Sequence, residues 1–206
     1  MYSNDEIWKL LQAARQLPSA HGLRGSTYYC LLGLLTVTGL RISEARNLKT
    51  EDVDLREGLL TIRGTKFGKS RLVPIHPSTR AVLTDYASRR DRCLAWRPDT
   101  FFVSGRGTRL DGAEIRRTFY ALSRYIGLRG PSDSHGPRLH DFRHRFAVET
   151  LIRWYRSGQD IERRLPILST YLGHVHVADT YWYLTGSPEL MGLAVKRFED
   201  YWEKQS

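Results

Sequence analysis

Cysteine is nearly absent from this sequence, which has two cysteines in 206 residues. Cys30 and Cys93 provide neither a disulfide framework nor the CxxC spacing of a metal site. Long apolar runs are also missing, since the longest candidate, Tyr28 to Leu40, is shorter than the roughly 20 residues that a membrane-spanning helix needs. The first residues, MYSNDE, lack the basic and apolar regions of a signal peptide. We therefore expect a cytoplasmic protein with no membrane partner.

Acidic residues are scarce relative to basic ones. The chain has 22 Asp and Glu against 32 Lys and Arg, which gives a formal net charge of +10. This balance favours a polyanionic partner such as nucleic acid, although a basic protein without such a partner can have the same composition. The apolar content of 41% suffices for an ordinary core, and the length fits one compact domain.

Apolar spacing and turn residues predict a mostly helical chain with one small sheet. A first helix is predicted after a cap at Ser3, and further helices over residues 26–38, 42–48, 77–93, 111–127, 141–157, 160–171 and 188–203. The turns Arg56-Glu57-Gly58 and Lys66-Phe67-Gly68-Lys69 separate three short apolar strands. The predicted fold class is therefore α+β, mostly α, with a three-stranded antiparallel β-sheet.

Histidine and arginine are concentrated in the segment RLHDFRHR, residues 138–145. His140 and Arg143, three residues apart, are predicted to share one helix face, from which both can reach a single anion. Either residue taken alone is as consistent with a structural role. No H-E-x-x-H is present and basic residues crowd the histidines, so we predict no metal ion and no other cofactor.

Two cationic side chains upstream are candidates for contact with a phosphate. Arg41 follows a predicted helix end at Gly39, its planar guanidinium suits two-point phosphate contact, and Glu44 could orient it. The alternative is a surface Arg/Glu pair. Lys66, in a turn between strands, could protonate a leaving alkoxide if desolvation and a neighbouring cation lower its pKa. For Lys66 and Lys69 taken singly, a solvated turn lysine is the default.

Tyr181 and Tyr183 are both candidate nucleophiles. On a helix, residues two apart project about 200° from each other, so only one of the two hydroxyls can face a site. The alternative is that both tyrosines, with Trp182, are packing aromatics. His174, after a predicted helix end at Gly173, adds a hydrogen-bond donor. Histidine, arginine and tyrosine without a paired carboxylate are suited to metal-free chemistry on a phosphate diester, which points to DNA strand chemistry.

The order of these motifs resembles the catalytic domain of the tyrosine recombinases, the phage integrase family, and is most similar to its bacterial Xer-like members. The similar segments are TGLRISEARNLKTEDVDL (38–55), TKFGKSRLVPIHP (65–77), LHDFRHRFAVETL (139–151) and YLGHVHVADTYWYL (171–184). The resemblance covers nearly the whole chain and implies one catalytic domain over residues 1–206. Family members usually carry an N-terminal core-binding domain, and we expect none in this chain.

The resemblance implies a role for each residue at the family's motif positions. Arg41 and Arg143 correspond to the arginines that clamp the phosphate. Lys66 corresponds to the lysine of the β-hairpin, and Glu44 is expected to support Arg41. The two histidine positions of the family are matched by His140 and His174.

The resemblance also selects the nucleophile. In the family it typically lies nine residues after the Gly-His histidine, and Tyr183 lies nine residues after His174, whereas Tyr181 lies seven after it. Further contacts with DNA are expected from basic residues of the same segments: Lys69, Arg71, Arg138, His144 and Arg145.

The implied function is a site-specific DNA recombinase that cuts and rejoins DNA through a covalent 3′-phosphotyrosine, without metal or cofactor. Its implied partners are double-stranded DNA and either a homotetramer on DNA or a second recombinase. The predicted helix over residues 188–203 either packs on its own core or is exchanged between protomers. Two alternatives remain open: a topoisomerase-like nicking-closing enzyme, and a non-catalytic DNA-binding or regulatory protein of the same fold. A metal-dependent nuclease is disfavoured, because the sequence has no acidic cluster.

Overall fold

The computed structural model describes residues 1–19, 21–64, 70–185 and 187–203, without the side chains of residues 184, 185, 198, 200, 201 and 203. The chain forms two compact units, Met1–Arg143 and His144–Ser206. Helices predominate, and one small antiparallel sheet accompanies them. The predicted α+β, mostly α, fold class is confirmed.

Five helices of the first unit are α1 (Asn4–Arg15), α2 (Leu23–Thr38), α3 (Ile42–Asn47), α4 (Pro77–Cys93) and α5 (Gly112–Tyr125). A reciprocal capping box starts α1, because the Ser3 hydroxyl accepts from the Glu6 N–H while the Glu6 carboxylate accepts from the Ser3 N–H. The next helix, α2, ends at Gly39, whose φ of 62° is a left-handed conformation that favours glycine. This sharp end sets the direction of the segment that carries Arg41.

The sheet consists of β1 (Val53–Asp54), β2 (Leu59–Ile62) and β3 (Arg71–Pro74), in that spatial order and antiparallel throughout. The Asp54 carboxylate accepts from the N–H groups of Arg56 and Glu57 and thereby shapes the first turn. Leu60 pairs with Val73, and both side chains are buried against the helices. The second turn, with Lys66 and Lys69, lies outside the described residues.

The core of the first unit forms where α1 and α4 both pack against α2. Helices α1 and α2 approach closely at Gly25, where a Cβ atom would lie 2.5 Å from the Arg15 carbonyl oxygen. On α4, the buried guanidinium of Arg90 donates to the Phe101 carbonyl, and the Tyr86 ring packs against the Phe101 ring. These contacts hold the 99–103 segment against α4.

A sixth helix, α6 (Asp141–Arg156), is followed by α7 (Ile161–Leu172), α8 (Ala178–Thr185) and α9 (Pro188–Glu203). The core of the second unit is apolar and includes Leu151, Leu165, Leu172, Tyr183 and Leu190. Helix α8 was not among the predicted helices. Among the described residues, no helix is both long enough and apolar enough to cross a membrane.

The prediction for residues 188–203 matches α9. Its apolar side chains differ in burial: Leu190 is buried in the core, whereas Met191, Val195 and Trp202 are each more than half exposed. The helix therefore packs on its own unit and also presents an apolar stripe to solvent. A single catalytic domain and the exchange of α9 between protomers stay predictions.

Candidate active site

Arg41 lies at the start of α3, two residues after the left-handed turn at Gly39. The Glu44 carboxylate accepts from the Arg41 backbone N–H at 2.9 Å and from its Nη1 at 3.0 Å. One third of the Arg41 side chain remains exposed. Glu44 thus orients a guanidinium that is still accessible to a ligand, and its support of a phosphate-binding Arg41 stays a prediction.

Glu44 is also held by a partner that the sequence did not reveal. Arg71 at the start of β3 donates from Nη1 to Oε1 at 3.0 Å and from Nη2 to Oε2 at 2.8 Å, and both side chains are at most 10% exposed. Burial alone would raise the pKa of Glu44, but hydrogen bonds from Arg71 and from the Arg41 backbone, with the charges of both arginines, bring that pKa below its ordinary value. Glu44 is therefore ionised at neutral pH, and its charge is shared between two arginines.

Arg143 is almost completely buried, with 1% of its surface exposed. A buried guanidinium is unstable unless its donors are satisfied, and Nη1 donates to the Gly39 carbonyl oxygen at 3.0 Å. This bond fixes Arg143 to the turn that carries Arg41. The two predicted phosphate clamps are therefore joined through the backbone of residues 39–41.

His140 lies in the turn directly before α6 rather than on the helix. The prediction that His140 and Arg143 share a helix face was therefore wrong. They are instead held together because the Arg143 N–H donates to the His140 carbonyl at 3.1 Å, as in a helix cap. Burial lowers the pKa of His140, and the charges of Arg143, Arg138 and Arg41 lower it further against the opposing effect of Asp141. The imidazole is thus neutral at neutral pH and can accept a proton.

The loop that leads to His140 is supported by two side chains that sequence reasoning missed. The buried guanidinium of Arg129 donates to the carbonyls of Asp133 and Pro137 and lies 4.4 Å from the centre of the Tyr120 ring. The hydroxyl of Tyr2 donates to the Arg138 carbonyl at 2.9 Å. An arginine at the start of a loop rich in glycine and proline was the available signal for Arg129.

In the second unit, both candidate nucleophiles lie on α8, but they differ in their exposure to solvent. Tyr183 is 3% exposed and belongs to the core, whereas Tyr181 is 52% exposed. The Tyr183 ring stacks on the His174 ring, with centroids 5.9 Å apart, and the His144 ring lies 5.4 Å away on a tilted plane. Trp182 packs edge-on against the rings of His144 and Tyr183 although it is 62% exposed, so its role as a packing aromatic stays open.

His174 is fixed by the end of α7 and by the start of α8. Gly173 has a φ of 70° and reverses the chain, and the His174 N–H donates to the Ser169 carbonyl at 3.0 Å. Its Nδ1 lies 2.7 Å from the hydroxyl of the buried Thr180. The imidazole therefore has one orientation next to Tyr183.

The residues predicted to contact DNA differ in their accessibility. The Arg138 side chain is 71% exposed, and within the described part of the chain its guanidinium has only a long contact, 3.5 Å, with Asp141. Arg145 is 11% exposed and lies 3.5 Å from Glu149, and the His144 ring packs against Trp182. Arg71 is engaged with Glu44. Contact of these residues with DNA stays a prediction.

Two further predictions concern the lysines of the second turn and the absence of a metal ion. Lys66, the predicted proton donor, and Lys69 lie outside the described residues. Among the residues that are described, no group of three or more His, Cys, Asp and Glu side chains is arranged to hold a metal ion.

The chain is similar to known recombinases along most of its length. The model of the phage integrase family matches residues 2–189. A protein of Sinorhizobium fredii, y4rB, provisionally named as an integrase/recombinase, is 62% identical over the whole of this chain, which spans 67% of y4rB. The tyrosine recombinase XerC of Thermodesulfovibrio yellowstonii is 30% identical over 87% of the chain, which spans 55% of XerC. The chain thus corresponds to about half to two thirds of these relatives.

Solved structures have the same fold. XerA recombinase has a TM-score of 0.74 and 27% identity over 96% of this chain, which covers 64% of XerA. XerH site-specific recombinase was solved bound to a palindromic difH substrate in a post-cleavage complex. It has a TM-score of 0.70 over 96% of this chain, which covers 53% of XerH. Its sequence identity of 21% shows a likeness of fold alone. The chain belongs to the phage integrase family and has the fold of a tyrosine recombinase catalytic domain.

Proposed function

We propose that the chain is the catalytic part of a site-specific DNA recombinase that uses Tyr183 as its nucleophile. The observation that carries this proposal is the setting of the two tyrosines: the buried Tyr183 contacts the rings of His174 and His144, while Tyr181 is half exposed. A nucleophile has to be held in one geometry, and the contacts of Tyr183 do this. A DNA substrate also fits the cytoplasmic location expected from the sequence.

In the first proposed step, the Tyr183 hydroxyl oxygen attacks the scissile phosphorus and a phosphotyrosine bond forms at the 3′ end. The bond from phosphorus to the 5′ oxygen breaks. A tyrosine has a pKa near 10, so its proton must pass to a base, and the neutral His140 is our candidate. Lys66 donates a proton to the departing 5′ oxygen, because an alkoxide is a poor leaving group.

Charge develops on the non-bridging phosphate oxygens during this attack. Arg41 and Arg143 are proposed to stabilise it, with His174 as a further donor. Both arginines are held by the turn at residues 39–41, so little reorganisation is needed as the transition state forms. Loss of one such preorganised donor costs about 3 kcal/mol of transition-state stabilisation in comparable sites.

In the second step, the 5′ hydroxyl of a partner duplex attacks the phosphotyrosine. A new phosphodiester forms, the bond to the Tyr183 oxygen breaks, and the tyrosine regains a proton. One phosphoester bond is broken for each one made in both steps. The reaction therefore needs no external energy source.

Exchange between two duplexes requires more than one protomer, and we propose a tetramer on DNA, or an assembly with a partner recombinase. The exposed stripe of Met191, Val195 and Trp202 on α9 supports this proposal, since an apolar surface on a terminal helix is suited to packing on a neighbouring protomer.

A pool of nicked suicide duplexes of randomised sequence tests the proposal whatever the target sequence is. We expect a covalent protein–DNA adduct that survives SDS, is lost in Tyr183→Phe and is retained in Tyr181→Phe. Duplex binding without any adduct would favour the non-catalytic regulatory protein. Relaxation of supercoiled DNA without strand exchange would favour the topoisomerase-like enzyme, and cleavage abolished by EDTA would favour a metal-dependent nuclease.

A further inference from the structure

A groove of about 360 Å³ lies next to His140 in the first unit. Three arginines line it: Arg46 from α3, Arg116 from α5, and Arg138 from the loop before α6. Ile42 and Ser43, which directly follow Arg41, form part of the same wall. The groove is therefore continuous with the phosphate-binding residues proposed above, and it includes Arg46 and Arg116, to which the sequence analysis assigned no role.

These arginines have little else to bind. Among the described residues, the guanidinium groups of Arg46 and Arg116 make no hydrogen bond or ion pair. The guanidinium of Arg138 has only its long contact with Asp141, whose carboxylate also accepts from the Arg138 backbone N–H.

Arg116 and Arg138 are exposed, whereas Arg46 is half-buried. The other half-buried and buried arginines of the first unit are paired, as Arg71 is with Glu44 and Arg90 with the Phe101 carbonyl. Asp111 lies near Arg46 and Asp141 near Arg138, but both carboxylates accept from backbone N–H groups. Since the arginines around the groove outnumber these acids, an anion in the groove would reduce the repulsion between the like charges.

The backbone leaves room for Arg46 to reach the groove. Its guanidinium lies against Gly112, the first residue of α5, where a Cβ atom would come within 2.8 Å of Nη1. Asp111, the residue before it, uses its carboxylate to accept from the N–H groups of Ala113 and Glu114. The small residue at position 112 therefore determines where the charge of Arg46 is held.

The remaining wall is apolar and rigid. Leu139 and Ile42 contribute aliphatic surface, and the Tyr120 ring is held by the buried guanidinium of Arg129. A groove lined by both cations and apolar surface matches a sugar–phosphate backbone, whose charge is on the phosphate and whose sugar is largely apolar.

We propose that this groove binds the DNA phosphodiester that flanks the scissile one, with Arg46 and Arg116 contacting its non-bridging oxygens and the sugar packing on Tyr120 and Leu139. The assignment rests on the proposed function, since it takes the scissile phosphate to lie at Arg41 and His140. A second phosphate contact fixes the register of the strand, so that the scissile phosphorus is presented at one position.

The first experiment measures binding alone, on the full chain with a fluorescent random-sequence duplex over a range of salt concentrations. Arg46→Ala and Arg116→Ala are each expected to weaken binding about tenfold at low salt and to reduce the slope of log affinity against log salt by about one. Arg92→Ala, which removes an exposed arginine of α4 that lies outside the groove, is the control. Binding by both variants equal to that of Arg92→Ala would overturn the proposal, and unchanged melting temperatures would exclude unfolding as the cause.

The second experiment identifies the phosphate. Methylphosphonates, which remove one phosphate charge, are placed singly around the nick of a duplex captured by Tyr183. We expect one flanking position at which the substitution weakens binding by the unaltered chain but has no further effect on Arg46→Ala. An unchanged penalty at every position in that variant contradicts the proposal. If no adduct forms, the proposed function fails, and the salt dependence still decides whether the groove binds phosphate.

Discussion

The guanidinium of Arg71 and the carboxylate of Glu44 form two parallel hydrogen bonds, of 3.0 and 2.8 Å, between β3 and α3. The same carboxylate orients Arg41, so a strand that lies 27 residues downstream determines where a predicted phosphate clamp is held. Both partners are nearly buried, and such a pair is destabilising when only one member is removed. This relationship leads to the first prediction.

Glu44→Gln is expected to destabilise the chain by about 3 kcal/mol at neutral pH, because it leaves the buried charge of Arg71 without a counterion. Since the folded state lowers the pKa of Glu44, its contribution is complete above the unfolded value of about 4.3 and is lost as the pH falls through the folded pKa. Urea unfolding of both chains at neutral and at acid pH should show the difference shrinking on acidification. Glu51→Gln, which breaks the exposed pair with Lys49, should cost less than about 1 kcal/mol. Equal effects of the two substitutions would contradict this account.

The rate of adduct formation at saturating DNA should rise with pH through a pKa below the ordinary histidine value of about 6.5, because His140 is proposed to act in its neutral form. Arg138 contributes to that lowered pKa through its positive charge. Arg138→Ala is therefore expected to raise the pKa of His140 and to move the acid limb of the profile to higher pH. The rate is measured by quenched suicide-substrate assays.

The control for this profile is Arg92→Ala, which removes a positive charge that is not among those acting on His140. It should leave the acid limb where it is. An acid limb that stays in place in Arg138→Ala, or that survives in His140→Gln, would rule out His140 as the base.

Arg129 is expected to act as a positioning residue for His140. Arg129→Ala removes two hydrogen bonds from a buried charge to loop carbonyls and should destabilise the first unit by about 2–3 kcal/mol. At temperatures where the variant remains folded, the rate of adduct formation should fall more than DNA affinity falls, since the loop before His140 loosens. Arg129→Lys should restore part of the rate. Equal losses of rate and affinity would indicate that Arg129 has a structural role alone. The control is Arg124→Ala, which removes an exposed arginine.

The exposed stripe of α9 is expected to contact a neighbouring protomer on DNA. Met191→Glu combined with Val195→Glu should leave monomer stability within about 1 kcal/mol, because both side chains face solvent, and should reduce higher assembly on DNA in native gels. Lys196→Glu changes the net charge by the same two units on the same helix and is the matched control. Loss of monomer stability, or assembly equal to that of the control, would contradict the exchange of α9.

Much of the fold follows from local sequence. The apolar periodicity and the punctuation by proline and glycine predicted α4 over 77–93 and α9 over 188–203, with the bounds that the structure has. Helix α8 was missed because eight residues give too little periodicity, and three consecutive aromatic residues obscure it. For the same reason, spacing alone left Tyr181 and Tyr183 equivalent, and the burial of Tyr183 depends on packing against α6 and α7.

Contacts between distant segments were not predictable from the sequence. Pairing of Arg71 with Glu44 requires the register of β3, and the bond from Arg143 to the Gly39 carbonyl spans 104 residues. His140 was assigned to a helix because the H-x-x-R spacing is helical, whereas the helix begins one residue later. Motif order therefore indicated the candidate site residues, and tertiary structure determines which of these candidates are held by buried partners.

The identity of the residue that becomes bonded to DNA tests the central claim most directly. After proteolysis of the trapped adduct, tandem mass spectrometry should place the nucleotide on Tyr183 within the segment 165–196, which also contains Tyr181. A nucleotide on Tyr183 through its 3′ phosphate is the result that we predict. A nucleotide on Tyr181, on another residue, or through a 5′ phosphate would contradict the assignment of the nucleophile and the mechanism built on it.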